Sequence, residues 1–226
     1  MKVEKIKHYQ ALFLNHVTRK GLPENLHMYR SQQVWGREWD IESMTFHSMY
    51  DKSLTNDISG RIWGGSKNSA KESMLAMIEQ NKEFMRSAFR DLFAVEKDLG
   101  LRCDRFMFYC DEAIRTVSDH KIIDHRHNRD MLCFYLAMEY PDLYTLVHYR
   151  PFVAMMEKLE SRNIPSRLEL ERYQKSMRAI HTLVSKDESW TEVLKTAIGE
   201  DYKEGSLLVM VEFAQFVASQ KDYPAY

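Results

Sequence analysis

The sequence predicts a mainly α-helical fold: a single multi-helix globular domain over residues 1–226, with a buried central helix. Three observations predict it. Apolar residues recur along most of the chain at steps of three and four, the repeat that lines up side chains on one helix face. Eight glycines and five prolines in 226 residues are well under the roughly 12% usual for the two together, which leaves few turns and long helices. Met131 to Tyr140 is apolar almost all round, with Glu139 its one charge, and a helix apolar on every side is a buried one.

Val3, Ile6, Tyr9, Phe13 and Val17 predict an amphipathic helix over 3–19, ended by Gly21 and Pro23. A second helix is expected over 40–54, with Asp40 as cap and Ile41, Met44, Met49 and Leu54 inward. The stretch TNDISGRIWGGSKNS (55–69) is the most loop-like part of the chain. Its Trp63-Gly64-Gly65-Ser66-Lys67 lacks the spacing and the preceding strand of a Walker phosphate loop. Helical stripes resume over 69–94 and 97–117, where Leu101, Phe106, Phe108, Tyr109 and Ala113 read as core filler. The organising helix over 131–140 is expected to be capped by Asn128 or Asp130 and stopped by Pro141. Ten residues span about 15 Å, which suits a core helix and is too short for a membrane span. Tyr144, Val147, Tyr149 and Phe152 then suit one short strand pair near 143–149. Phe152, Met155, Met156 and Leu159 mark a further helix. Leu170, Tyr173, Met177, Ile180 and Val184 step 3, 4, 3, 4, a core-facing seam. A helix over 187–198 has Asp187 as cap and Gly199 as stop, and a buried helix over 207–218 closes the chain.

The net charge of −1 gives no global attraction to nucleic acid or acidic membrane, so any such binding needs a local patch. The first 37 residues carry seven Lys/Arg against Glu4 and Glu24, a basic run that reads as a solvated face, with a contact surface as the alternative. No run of about 18 apolar residues exists and the opening MKVEKIK has no signal-peptide core, which predicts a cytoplasmic chain with no membrane partner. Cys103 and Cys110 lie about 10.5 Å apart along one predicted helix and cannot bridge; with Cys133 they read as buried thiols. His120, Asp124, His125, His127 and Asp130 bring metal-ligand types together, but the spacing fits no zinc pattern, so a polar turn is expected and no metal or other cofactor. No nucleophile elbow or nucleotide fingerprint is present, and the chain is expected not to be an enzyme.

Several segments, in order, carry a family resemblance. They are Trp39-Asp40-Ile41, Phe46 and Met49, Trp63, Met74-Leu75, Phe89-Arg90-Asp91-Leu92-Phe93 and Lys97-Asp98-Leu99. Arg105-Phe106, Phe134-Tyr135-Leu136, Tyr140-Pro141-Asp142-Leu143-Tyr144, Phe152 and Phe213 with Phe216-Val217-Ala218 complete the series. Over residues 33–218 the chain resembles the amino-terminal helical region of McrB-like AAA+ restriction proteins. In such proteins this region precedes a GTPase motor and commonly selects modified DNA. The chain has no Walker loop and ends where the motor would start, so GTPase activity is not carried over. It is expected to be an excised amino-terminal domain or a standalone relative.

The resemblance implies a non-catalytic targeting module of a modification-dependent restriction or defence system that binds DNA. The alternative it leaves is a helical protein-interaction domain that positions an AAA+ motor, in cis or in trans, or another partner, without touching DNA. For DNA the candidate residues are Arg61, Trp63 and Lys67 on one loop, and Lys121, Arg126 and Arg129 on the other. Basic side chains would contact phosphates and Trp63 would stack.

Overall fold

The computed structural model describes residues 1–22, 26–59, 62, 69–118 and 124–221. Among the described residues the fold is mainly α-helical, with eleven α-helices and no strand. In chain order these are α1 (Val3–Lys20), α2 (Leu26–Glu38), α3 (Phe46–Ser53), α4 (Ala70–Gln80), α5 (Lys82–Leu92) and α6 (Leu99–Ile114). They continue with α7 (Arg129–Glu139), α8 (Tyr149–Lys158), α9 (Leu170–Val184), α10 (Glu188–Ile198) and α11 (Val209–Ser219). Contacts gather the chain into two compact units: unit 1 is Met1–Leu26 with Pro141–Tyr226, and unit 2 is His27–Tyr140. Among the described residues no helix is long and apolar enough to cross a membrane.

In unit 2, α5 packs along α6, and α4 lies against α3, α5 and α6. The helix with no polar side, α7, buries every residue from Leu132 to Met138. Asn128 caps it, its side chain accepting from the Met131 N–H, and Tyr140 leaves helical geometry before Pro141. The Tyr135 ring meets Trp35, Tyr50, Phe89 and Phe106, so the organising helix does sit in an aromatic core. In unit 1, α8 packs along α11 and α1 lies against α9, α10 and α11. Phe13 of α1 meets Trp190 of α10 and Phe213 of α11. The five seam residues of α9 are all buried. Asp187 caps α10, accepting from Ser189, and Gly199 ends it at φ 71°.

Three expectations change. The helix expected over 40–54 is only Phe46–Ser53. Asp40 caps a turn instead, accepting from the Glu42 N–H at 3.0 Å. The guanidinium of buried Arg86 donates to the carbonyls of Ile41 and Ser43, acceptors that a continuous helix would have consumed. Met44 is consequently 89% exposed rather than inward. The run 69–94 breaks at Asn81, whose φ of −148° is not helical and whose side chain starts α5 by accepting from Phe84. No strand pair forms near 143–149. The backbone there is satisfied by side chains of α9: Gln174 accepts from the Thr145 N–H at 2.9 Å and donates to the Thr145 carbonyl at 2.8 Å. Tyr173 Oη donates to the Leu146 carbonyl at 2.9 Å and accepts from the His148 N–H at 3.3 Å. Side chains thus take the place of a second strand in meeting the demand of buried backbone groups.

Candidate functional site

The densest set of chemically capable side chains is buried in unit 2. The turn before α7 carries His125 and His127, α6 supplies Cys110 and Asp111, α3 supplies Tyr50 and α7 supplies Tyr135. The turn depends on Arg126, which adopts φ 58°, a costly value for a residue with a Cβ; its N–H is held by Asp124 Oδ1 at 3.0 Å. Hydrogen bonds define the protonation of both rings. His127 Nδ1 lies 2.6 Å from the His125 carbonyl, which can only accept, so Nδ1 carries the proton. His127 Nε2 is then the acceptor for Tyr135 Oη at 3.0 Å, and Tyr135 Oη in turn accepts from Tyr50 Oη at 2.6 Å. His125 Nδ1 accepts from the His127 backbone N–H at 2.9 Å, so the His125 proton sits on Nε2 and is donated to Asp111 Oδ1 at 3.1 Å. The Ser73 hydroxyl adds a second donor to the His125 carbonyl.

Burial keeps the His127 ring neutral. It lowers the His127 pKa to about 3, with the neighbouring His125 acting in the same direction. Burial also pushes the Tyr50 and Tyr135 hydroxyls and the Cys110 thiol well above their ordinary ranges, and brings Cys103 up to about 11. A thiol held protonated is not a nucleophile. Cys110, His125 and His127 do offer ligand atoms within 4.8 Å of one another, the one such set among the described residues. The lone pair of each ring is already used, on His125 by the His127 N–H and on His127 by the Tyr135 hydroxyl. A cation would have to displace both donors and deprotonate Cys110, so the set reads as a satisfied polar core. Sequence reasoning expected a polar turn here; the turn is instead buried at both histidines, because Cys110 and Tyr135 close over it. Nothing local in the sequence links Cys110 to a turn fifteen residues on, and the free thiols carry no disulfide signal.

Of the residues expected to meet DNA, Arg61, Trp63, Lys67 and Lys121 lie outside the described residues. Arg126 is exposed, with Nε 3.6 Å from Asp124 Oδ2. Arg129 opens α7 and donates to Asp104 at 2.6 Å. Each therefore already faces a carboxylate.

The outer face of α6 was not singled out. Its inner face, Leu99, Arg102, Cys103, Phe106, Cys110 and Ala113, is buried. Leu101 and Phe108, expected in the core, are 63% and 57% exposed. They lie at i and i+7, two turns apart on the pole opposite the buried stripe. Asp104 and Arg105 lie between them, each side chain 53% exposed. In unit 1 a cleft of about 520 Å³ is lined by Phe13, His16, Lys20, Glu212 and Phe216 among others; its mixed charge selects no ligand class.

No family model, no curated protein and no solved structure matches the chain.

Proposed function

We propose that the chain is a non-catalytic, helical protein-interaction module of a McrB-like system, and that the outward face of α6 is its contact surface. The observation that carries this is the exposure of Leu101 and Phe108 on one face of one helix. Single exposed apolar residues are ordinary, but two large ones aligned across two turns, with charged residues between and beside them, have the make-up of a contact patch. A targeting role through DNA is less well supported. The net charge is −1, and Arg126 and Arg129 would have to leave Asp124 and Asp104 to reach phosphates. The polar cluster that most resembles chemistry is closed on itself, which fits a module without a reaction of its own.

The test is site-specific photo-crosslinking in cells. A benzophenone side chain at position 108 should give a discrete protein adduct, and the same group at Met44, 89% exposed on the turn before α3, should not. Absence of any adduct at 108, together with a mobility shift of duplex DNA that weakens as salt rises, would replace this reading with the DNA-targeting one.

A further inference from the structure

We infer that the outward face of α6 pairs antiparallel with the same helix of a second copy of the chain, an inference that rests on reading α6 as a contact surface. The stripe is Leu101, Asp104, Arg105, Phe108 and Glu112, at i, i+3, i+4, i+7 and i+11, the spacing that keeps one helix side against a partner. A two-fold axis between Asp104 and Arg105 sets Leu101 against Phe108 of the second copy and Asp104 against Arg105 of the second copy. Symmetry repeats both contacts, as an isologous interface requires. The same register brings Glu112 to the turn that carries Lys97, half exposed beside Asp91.

The competing registers fail on charge. An axis through Phe108 stacks the two phenyl rings and sets Arg105 near Asp111 at the edge, but places Asp104 against Glu112 and Leu101 against Arg115. A parallel pair sets Asp104 on Asp104 and Arg105 on Arg105. Of these three, the first register alone keeps the central stripe free of like-charge contacts, and like charges at a contact discriminate strongly against the wrong partner. The like-charge pair of this register, Asp98 of one copy with Asp111 of the other, falls at the edges of the stripe, where Asp98 accepts from the Leu101 N–H at 2.9 Å and Asp111 pairs with His125. Both charges also have partners at home, Asp104 with Arg129 at 2.6 Å and Arg105 with Asp91 at 3.0 Å and Tyr109 at 3.1 Å, so the cross-copy pairs share those partners and set register more than affinity. One helix pair covers less than the roughly 1,200 Å² of a standard stable interface, so the pairing is weak and reversible, governed by concentration.

Sedimentation velocity tests it across a range of about 3 to 300 µM, where a small interface populates both states. Wild type should pass from monomer to dimer, and Phe108→Glu should move the midpoint up by at least about tenfold, with an unchanged circular dichroism spectrum. Asp104→Arg and Arg105→Asp should each stay monomeric alone, yet form a mixed dimer when combined in equal amounts, because each reversed charge then meets its opposite. Wild type that stays monomeric throughout, while the position-108 adduct joins a different protein, overturns self-pairing and leaves the contact-surface reading standing. A wild-type dimer that ignores Phe108→Glu, with no adduct at 108, overturns both. A dimer lost in the single reversals and not regained in the mixture overturns the antiparallel register.

Discussion

The two units bury their polar groups with different emphasis. Both tie side chains to buried backbone, in unit 2 through Gln32 to the Ala137 carbonyl at 2.9 Å and Arg102 to the Leu92 carbonyl at 2.7 Å, but unit 2 adds a run of side-chain pairs: Tyr50 to Tyr135, Tyr135 to His127, and Trp35 Nε1 to Glu139 at 2.8 Å. Unit 1 joins side chain to backbone: Gln174 to both groups of Thr145, Thr145 Oγ1 to the Leu207 carbonyl at 2.8 Å, and Gln10 to the Val184 carbonyl at 3.1 Å. The difference follows from what each core contains. Unit 1 buries a non-helical run, 144–146, whose backbone groups need partners. Unit 2 buries a shorter turn, at His125 and His127, whose backbone groups are met by the two imidazoles and Ser73, and its aromatic hydroxyls must find partners among side chains. One consequence is that losing the Tyr135 hydroxyl strands two side chains, whereas losing Gln174 strands backbone.

The largest effect expected in this comparison is simple loss of volume. Leu136 is fully buried at the centre of α7, and Leu136→Ala should cost about 2–5 kcal/mol, read from a chemical-denaturation midpoint. An unchanged midpoint would show that α7 is not the centre of unit 2.

Acid should separate the units next. The folded pKa of His127 is about 3 and its unfolded value is about 6.5. As pH falls through 6.5 the unfolded chain takes up the proton first, so the stability from neutral His127 is complete above that pH and is lost progressively toward pH 3. The slope approaches about 1.4 kcal/mol per pH unit for one proton. Unit 1 contributes the same sign through His181, lowered by burial, and through Glu169, whose bonds from Ser166 and Arg172 hold it at about 2; the carboxylate acts only below its ordinary range. Between pH 6.5 and 5 the His127→Gln variant should therefore show a flatter stability profile than wild type. Identical slopes would mean that His127 titrates normally.

Smaller again is Tyr135→Phe, which removes the hydroxyl that bridges Tyr50 and His127. Leaving buried groups unsatisfied costs about 1–3 kcal/mol. Adding Tyr50→Phe should cost less than its effect alone, since its partner is already lost. Strict additivity in a double-mutant cycle would deny the chain of hydrogen bonds. The matching change in unit 1, Gln174→Leu, should fall in the same range with no side-chain partner to rescue it. Smallest is Arg126→Ala with Arg129→Ala: exposed pairs of this kind are worth about 0–1 kcal/mol each, and the folded spectrum should not change.

The elements that were legible in the sequence are those whose signal is local. Helix α7 shows itself by lacking a polar side, α9 by its 3, 4, 3, 4 seam, and α10 by Asp187 and Gly199 at its ends. What was not legible depends on distant partners. Helix α3 is short because Arg86, some forty residues on, takes the carbonyls of Ile41 and Ser43. The segment after Pro141 has strand composition but finds Gln174 and Tyr173 in place of a strand. Cys110, Tyr50 and Tyr135 join the two histidines only through packing. Leu101 and Phe108 were hidden for another reason: apolar residues on both poles of α6 defeat a reading that takes every apolar residue as inward. The discriminating sign was available, since Leu99, Arg102, Cys103, Phe106, Cys110 and Ala113 already complete one face and leave Leu101 and Phe108 opposite it.

Folding of unit 2 rests on the buried stripe of α6 and the Tyr50–Tyr135–His127 chain, and the proposed contact on the outer face of α6. The urea unfolding curve of Phe108→Glu at a concentration low enough to exclude assembly tests that division most directly. The expected midpoint lies within about 0.5 kcal/mol of wild type, the behaviour of a surface position. A loss of about 3–5 kcal/mol, the range for truncating a buried phenylalanine, would return Phe108 to the core and contradict it.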